Sequence, residues 1–539
     1  MNISKVKNFF LESKGGQLLL SFAAGTLYAA ALPPLNLSFC ALITLTVPLY
    51  IGSRSKWYFS MLCSWVWGIG WSFFAYNFLR EIAFAVPFGL APVISLWPAV
   101  WGAALPWLWK RCCQKQNSVA VPWYKMLLFA FLAAALFTLL EWTRSRLFVW
   151  NDFSVTMWRK HAIIQLAALT GSYGVGFLVS FTNTLIFGAA MQKSRKSLYL
   201  LLIAVVMWLA VTACGICRLA GSSVDDKGKN KTLLRTALIQ PDLSQRRHAS
   251  VEQVYEAVDK CVMISRRVVS QRPELIIWPE SAVPVTLRGM GQLNDYYRTQ
   301  LASLISEARI PMLIGAIDYL EASIRARDPY PAVTNSAIWL DKNGRIKHKY
   351  DKIHRVPYGE YIPFRRFLPG FILNMIDMGR DLAPGTNFEV YEFKPGVRAA
   401  TVICYEGVFG YLTRDFARRG ANVLIALSND AWYPASSEPE QHLANVVMRC
   451  IETGLPMIRC GNNGGSGVVT PYGLFVNCIG SKAERPELLR EQACGIVEIS
   501  LDNAVARTFY VRYGEWFIAL LALLSAAGIT ALFCFKRPE

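Results

Sequence analysis

Apolar residues are spread unevenly along this chain. The first 220 residues carry long, nearly uninterrupted apolar runs at about Leu18–Leu32, Leu37–Ile51, Trp57–Leu79, Phe88–Trp109, Met126–Trp142, Ile163–Met191 and Leu198–Cys217. Several approach or exceed the roughly 18–20 residues that cross a hydrocarbon core. The first two are short and separated by Pro33-Pro34, a pattern that also fits a hairpin. An eighth run, Trp516–Phe535, is followed by Lys536-Arg537-Pro538-Glu539. The pattern predicts a bundle of about eight membrane helices: seven within residues 1–220, one within 511–539.

Between these regions the pattern changes. A polar stretch follows Ala220, and residues 221–510 alternate short apolar runs with amphipathic segments. Strands are predicted over Thr236–Ile239, Leu275–Trp278, Met312–Ile317, Ser336–Leu340, Val397–Cys404, Val423–Leu427, Met457–Cys460 and Gly467–Val469. Helices are predicted around Asn294–Ala308, Val408–Arg419 and Glu440–Thr453. A further helix starts at Ser250, which forms a capping box with Gln253 and is followed by an apolar face of Val251, Val254, Tyr255, Val258 and Val262. Continuous apolar runs mark strands covered on both faces. With helices between them, they make residues 221–510 a layered α/β domain.

Composition agrees: 53% of the 539 residues are hydrophobic. The net charge of +19 does not point to nucleic acid, because no basic-aromatic recognition module accompanies it. Much of the positive charge flanks apolar runs, at Arg54/Lys56, Lys110/Arg111 and Arg195/Lys196, with Lys5, Lys7 and Lys14 before the first run and Lys536/Arg537 after the last. The positive-inside rule then puts both termini in the cytoplasm and 221–510 outside. The loop holding Arg144, Arg146, Arg159 and Lys160 is an exception. The first run has the flanks of a signal peptide, but further spans follow at once, which favours an uncleaved anchor.

Of the thirteen cysteines, Cys261, Cys404, Cys450, Cys460, Cys478 and Cys494 lie in the outer region. Setting Cys404 aside, an oxidising compartment would allow at most two disulfides there. Cys214-x-x-Cys217 lies in an apolar run with no second pair, and the five histidines are dispersed, so neither metal nor cofactor is expected.

Three residues carry the candidate chemistry. Cys404 ends an apolar strand, Glu280 follows another through Trp278-Pro279, and Lys352 lies in the loop Lys349–Glu360. An ordinary thiol is only a few per cent thiolate at neutral pH and needs a base. A carboxylate beside Trp278 and Pro279 is partly desolvated, which raises its pKa toward a useful range. A fixed ammonium and a backbone N–H then stabilise the oxyanion, each such donor being worth about 3–4 kcal/mol. Strand ends on one edge of a sheet bring such residues together.

Trp278-Pro279-Glu280, Lys352 ahead of Pro357-Tyr358-Gly359-Glu360, and Cys404-Tyr405-Glu406 resemble the three elements of the nitrilase superfamily. The loop Tyr350–Pro363, Ser428-Asn429-Asp430-Ala431-Trp432-Tyr433, Gln441-His442-Leu443, Arg449, Glu452, Asn462-Asn463-Gly464 and Glu141-Trp142-x-Arg144 resemble its membrane-bound branch, the apolipoprotein N-acyltransferases. The resemblance covers essentially the whole chain. It implies an αββα sandwich on the outer side of a bacterial inner membrane. It implies Glu280 as general base, Lys352 as oxyanion cation, Cys404 as nucleophile, Glu360 as an orienting carboxylate, and Tyr405 and Glu406 as positions tied to activity. The implied reaction is ping-pong: a fatty acyl chain passes from a phospholipid, phosphatidylethanolamine for instance, through a Cys404 thioester to the α-amine of a diacylated apolipoprotein. A monomer is expected. One departure is His248-Ala249 where the family has a Lys-Trp pair, which bears on substrate fit.

After the lysine loop comes an apolar insertion. Phe364, Phe367, Leu368, Phe371, Ile372 and Leu373 are suited to enter acyl chains while Arg365 and Arg366 meet phosphates. Trp432 and Tyr433 suit a second gate at headgroup level. His354 is read as a loop histidine and His442 as packing a helix start. Glu141 and Arg144 form an interfacial ion pair or help dock the outer domain. Two other readings stay open: a membrane-tethered amidohydrolase with the same three residues, and a non-catalytic scaffold or transporter. Lipid-facing arms argue against the first, and the lack of a chain of ionisable residues in any span against the second.

Overall fold

The computed structural model forms two compact units, residues 1–224 with 513–539 and residues 225–512. It describes residues 9–82, 84–113, 121–192, 195–225, 231–245, 249–370, 373, 381–433, 436–480, 490–503 and 507–534. Lys5, Lys7, His248, Phe371, Ile372, Lys536 and Arg537 lie outside the described residues.

In the first unit five described helices are long and apolar enough to cross a membrane: Val86–Cys113, Trp123–Arg144, Ser172–Met191, Arg195–Gly221 and Trp516–Cys534. The other predicted runs take different forms. Lys14–Ala31 and Trp57–Ala75 are helices of 18 and 19 residues whose apolar runs are diluted by Gly, Ser and Trp. They approach closely at glycines: a Cβ on Gly25 would lie 2.1 Å from the Trp67 carbonyl oxygen. Leu37–Ile51 is not one helix. A 3-10 turn, Ser38–Leu42, precedes a short helix, Thr46–Gly52. The break is held by buried Asn183, whose Nδ2 donates to Ala41 O at 2.7 Å while its Oδ1 accepts from Leu45 N at 2.9 Å. In an apolar setting such side chains replace the backbone partners a broken helix loses. The run Ile163–Met191 is interrupted at Gly171, where φ is 71°.

Glu141 and Arg144 turn inward. Glu141 Oε1 accepts from Phe153 N at 3.0 Å, and Arg144 donates to Trp150 O at 3.0 Å and Asn151 O at 3.3 Å. The pair therefore pins the loop that follows its own helix, with 3.9 Å between the charged atoms. This accounts for part of the exception to the charge rule: Arg144 is buried against loop carbonyls.

The second unit is built on two six-stranded sheets. Its strands are β1 (Lys231–Gln240), β2 (Leu275–Ile277), β3 (Met312–Tyr319), β4 (Val333–Leu340), β5 (Ile346–Asp351), β6 (Tyr391–Lys394), β7 (Val397–Ile403), β8 (Val423–Ser428), β9 (Met457–Gly461), β10 (Gly467–Val469), β11 (Phe475–Val476) and β12 (Ala493–Asp502). The orders are β12-β1-β2-β3-β4-β5 and β11-β10-β9-β8-β7-β6. In each sheet the buried middle is parallel, β1-β2-β3 and β7-β8-β9, and the outer pairings are antiparallel. The sheets meet face to face, where the Cys460 thiol lies 3.5 Å from Ile239 O and 3.4 Å from Ile277 O.

Helices Val251–Val269 and Gln292–Ala308 cover the first sheet through a core that includes Val258, Cys261, Trp278, Tyr297 and Ile314. The predicted capping box forms, with Ser250 Oγ accepting from Gln253 N and Gln253 Oε1 from Ser250 N. Helices Gly410–Arg418 and Glu438–Thr453 accompany the second sheet. The unit is thus the expected αββα sandwich. All thirteen cysteines are free thiols.

Candidate active site

Glu280, Lys352 and Cys404 each follow closely on the C-terminal end of a strand: β2, β5 and β7. The turn after β2 sits hard against β3. A Cβ on Gly315 would lie 2.2 Å from Pro279 O and 2.6 Å from Glu280 Cα, so glycine lets the two backbones approach. The turn continues through Ser281, at φ 45°.

Lys352 is 1% exposed and sits between two carboxylates. Its Nζ is 3.2 Å from Glu280 Oε1 and 3.1 Å from both oxygens of Glu360. Asn335 Nδ2 donates to the same two acids, at 2.7 Å to Glu280 and 2.8 Å to Glu360. Asn335 O accepts from Lys352 N at 2.8 Å, so one β4 residue fixes the lysine backbone and both its partners. Glu360 closes its own loop by accepting from Val356 N at 2.8 Å.

Cys404 opens a 3-10 turn, Cys404–Val408, at φ 51°. A side chain in the left-handed region costs about 1–2 kcal/mol. Two side chains bracket the strained residue. On one side Glu406 Oε2 accepts from Ile403 N at 2.8 Å. On the other, His442 Nε2 lies 3.1 Å from Cys404 O. The second oxygen of Glu406 accepts from Tyr350 OH at 2.8 Å, Ile353 N at 2.7 Å and His354 N at 3.0 Å, tying the nucleophile's turn to the lysine loop.

The electrostatics follow from burial and proximity. Burial, then the charges of Glu280 and of the deeper acids Asp430 and Glu438, push the Cys404 thiol well up, with Lys352 opposing. Burial raises Glu280 as well, against Lys352. For Lys352, burial alone would lower the ammonium's pKa, but Glu280 and Glu360 outweigh it and hold the cation. Burial lifts Glu406 to about 7 despite its donors. A resting thiol, a held ammonium and a base within their field fit proton transfer coupled to attack better than a preformed thiolate.

Of the other predicted positions, Tyr405 is half-buried and meets Phe409 edge-on at 4.9 Å. In the insertion Phe364 and Phe367 are 78% and 69% exposed, and Leu368 is half-buried. Arg365 pairs with Asp381 at 2.7 Å and Arg366 stacks over Phe367 at 4.6 Å, so the two arginines are already engaged within the arm. Trp432 is exposed, while Tyr433 is half-buried and accepts from Arg490 at 3.0 Å. His354 stacks on Phe409 at 4.3 Å.

Sequence reasoning missed two groups. Asn335 precedes the predicted strand Ser336–Leu340, and its only signal was a polar Thr-Asn-Ser start to an apolar strand. His442, read as helix packing, reaches the nucleophile's carbonyl, and its other nitrogen faces Asp430 Oδ1 at 3.2 Å. Arg459 pairs with Asp430 and donates to Gly464 O at 2.7 Å. Asp430, Glu438 and His442 have ligand-type atoms within 4.8 Å of one another. Asp430 is already neutralised by Arg459, however, so the group reads as a charge-paired brace. Asn429 Nδ2 donates to Glu280 O at 3.4 Å, and Asn462 to Asn429 Oδ1 at 3.1 Å.

The family model for carbon-nitrogen hydrolases matches residues 235–484, and that for the apolipoprotein N-acyltransferase N-terminal domain matches residues 24–185. The apolipoprotein N-acyltransferase of Geobacter metallireducens is 29% identical over 401 residues, covering 73% of this chain and 71% of the relative. That of Allorhizobium ampelinum is 26% identical over 558 residues, covering 96% of each. A solved amidase from Nesterenkonia sp. is 16% identical, with 53% of this chain and 95% of the amidase covered at a TM-score of 0.34.

Proposed function

Because this chain belongs to the apolipoprotein N-acyltransferases, the membrane-bound branch of the nitrilase superfamily, we propose that it transfers a fatty acyl chain from a phospholipid to the α-amine of a diacylated apolipoprotein. The observation that carries the mechanism is the lysine held between Glu280 and Glu360 in the field of the thiol of a strained residue.

Glu280 takes the S–H proton as Cys404 sulfur attacks the ester carbonyl. A C–S bond forms and the carbonyl oxygen becomes an oxyanion facing Lys352 Nζ. Collapse breaks the ester C–O bond, and the lysophospholipid oxygen leaves with the proton from Glu280. In the second half the acceptor amine attacks the thioester, Glu280 takes the amine proton, and the C–S bond breaks to give the amide. The sulfur recovers the proton, and no net charge or redox change remains. A thioester suits both halves, being near the ester in energy and reactive toward amines.

The donor is a phospholipid such as phosphatidylethanolamine, drawn from the membrane past the exposed Phe364 and Phe367. The protein works as a monomer in the bacterial inner membrane, with residues 225–512 on the periplasmic side.

The test uses the full chain in detergent with phosphatidylethanolamine alone. Intact mass is expected to show one acyl group on Cys404, discharged as N-acyl product when a diacylated lipopeptide is added. Cys404→Ala and Cys404→Ser are expected to show neither. Acylation of the lipopeptide by Cys404→Ala would defeat the proposal. Release of free fatty acid in place of the N-acyl product would favour a hydrolase.

A further inference from the structure

Resting on the reading of Cys404 as nucleophile, we propose that His442 is a positioning residue, which aims the Tyr405 N–H at the reacting carbonyl by holding the Cys404 carbonyl. A carbonyl only accepts, so the contact between His442 Nε2 and Cys404 O at 3.1 Å is an N–H donated by the ring. A trans peptide is planar, with its C=O and N–H set in opposite directions. The bond that fixes the Cys404 carbonyl therefore fixes the direction of the Tyr405 N–H, the backbone donor beside the sulfur.

The ring is itself held. Its Nδ1 faces Asp430 at 3.2 Å, and Asp430 is anchored by Arg459, whose guanidinium also grips Gly464 and Gly465. His442, Asp430 and Arg459 are all buried. The helix that carries His442 lies directly on the turn: a Cβ on Gly407 would meet Val446 Cγ2 at 3.2 Å and His442 Nε2 at 3.7 Å. The strain at Cys404 explains why such a brace is needed. A residue at φ 51° keeps its conformation only when its surroundings over-determine it. Glu406 fixes the Val402–Ile403 peptide ahead of the nucleophile, and His442 the Cys404–Tyr405 peptide directly after it.

This assignment separates two properties of the nucleophile. Proton removal depends on Glu280, and oxyanion stabilisation depends on where the Tyr405 N–H points. Loss of His442 should harm the second and spare the first.

The experiment follows Cys404 acylation by phosphatidylethanolamine in the full chain, by intact mass, for the wild type, His442→Ala, His442→Gln and Cys404→Ala. Alkylation of Cys404 by iodoacetamide, which forms no oxyanion, and thermal unfolding are measured alongside. His442→Ala is expected to lower the maximal acylation rate about 100-fold, the scale of one lost oxyanion donor, with KM and alkylation within about threefold of wild type. His442→Gln, which keeps a side-chain N–H donor, is expected to recover at least about tenfold. The inference fails if His442→Ala acylates within about threefold of wild type, if alkylation and melting fall together with acylation, or if the glutamine variant does no better than alanine. An acyl adduct that persists in Cys404→Ala would instead overturn the underlying assignment of the nucleophile.

Discussion

Replacing Lys352 with methionine removes the cation that, among the described residues, both site carboxylates share. Its Nζ contacts Glu280 at 3.2 Å and Glu360 at 3.1 Å, and the Asn335 amide would be left to bridge the two acids. Breaking a buried ion pair by deleting one partner costs about 3–5 kcal/mol. At about 2–4 °C per kcal/mol for a unit of this size, the fall in Tm is roughly 6–20 °C. Two adjacent buried carboxylates do not both stay ionised, so the variant takes up a proton that the unfolded chain does not hold at neutral pH. That raised carboxyl contributes stability below the ordinary carboxylate range and loses it as pH rises. Lys352→Met should therefore unfold more easily at a pH of about 8.5 than at about 5.5. In the wild type the Lys352 pKa is raised, so its contribution is complete across this window and is lost only in strong alkali. Catalysis loses the oxyanion cation, about 10²–10³ in rate, and part of its base as well. Thermal unfolding at the two pH values, with Cys404 acylation followed by mass, measures both effects. A variant within about 1 kcal/mol of wild type at both pH values, and within about tenfold in acylation, would refute the reasoning.

Two further substitutions probe the supports. Glu406 is raised from 4.5 to about 7 by burial, so its folded-state advantage is present below 4.5 and is lost as pH climbs through 7. Glu406→Gln cannot ionise, so its stability relative to wild type should improve by up to about 3 kcal/mol across that window, as read from paired melting curves; a difference that stays flat with pH would contradict the shift. Gly315→Ala puts a methyl 2.2 Å from the Pro279 carbonyl and must displace the Glu280 turn. A misplacement on the order of 1 Å costs about 100-fold in rate, so acylation should fall by that scale while the chain still folds, and near-normal acylation would show that the turn can shift freely.

The central strands were legible because β1 to β4 and β7 to β9 are runs of apolar residues buried on both faces. β5, β6, β11 and β12 were not. All four are the edge strands of their sheets: the first three have polar or very short sequences, and β12 alternates buried and exposed residues along its second half. Glu280, Lys352 and Cys404 stood out because each follows an apolar strand or lies in a Pro/Gly loop, where a reactive side chain has little packing role. Asn335 and His442 gave no such mark. Their meaning lies in partners 55 and 38 residues away in sequence, to which local periodicity is blind. In the membrane unit, run length alone could not tell a straight helix from a broken one, because the side chain that stabilises the break at Leu37–Ile51 is remote.

That side chain, Asn183, also constrains the order of assembly. The interrupted segment around residues 38–52 emerges from the ribosome well over a hundred residues before the asparagine that caps its open backbone groups. Until the later helix is inserted, those groups must keep water, lipid headgroups or the insertion machinery as partners, since hydrocarbon offers none. The early half of the bundle thus completes its hydrogen bonding only once the helix that carries Asn183, the last but one of the described N-terminal spans, is in place.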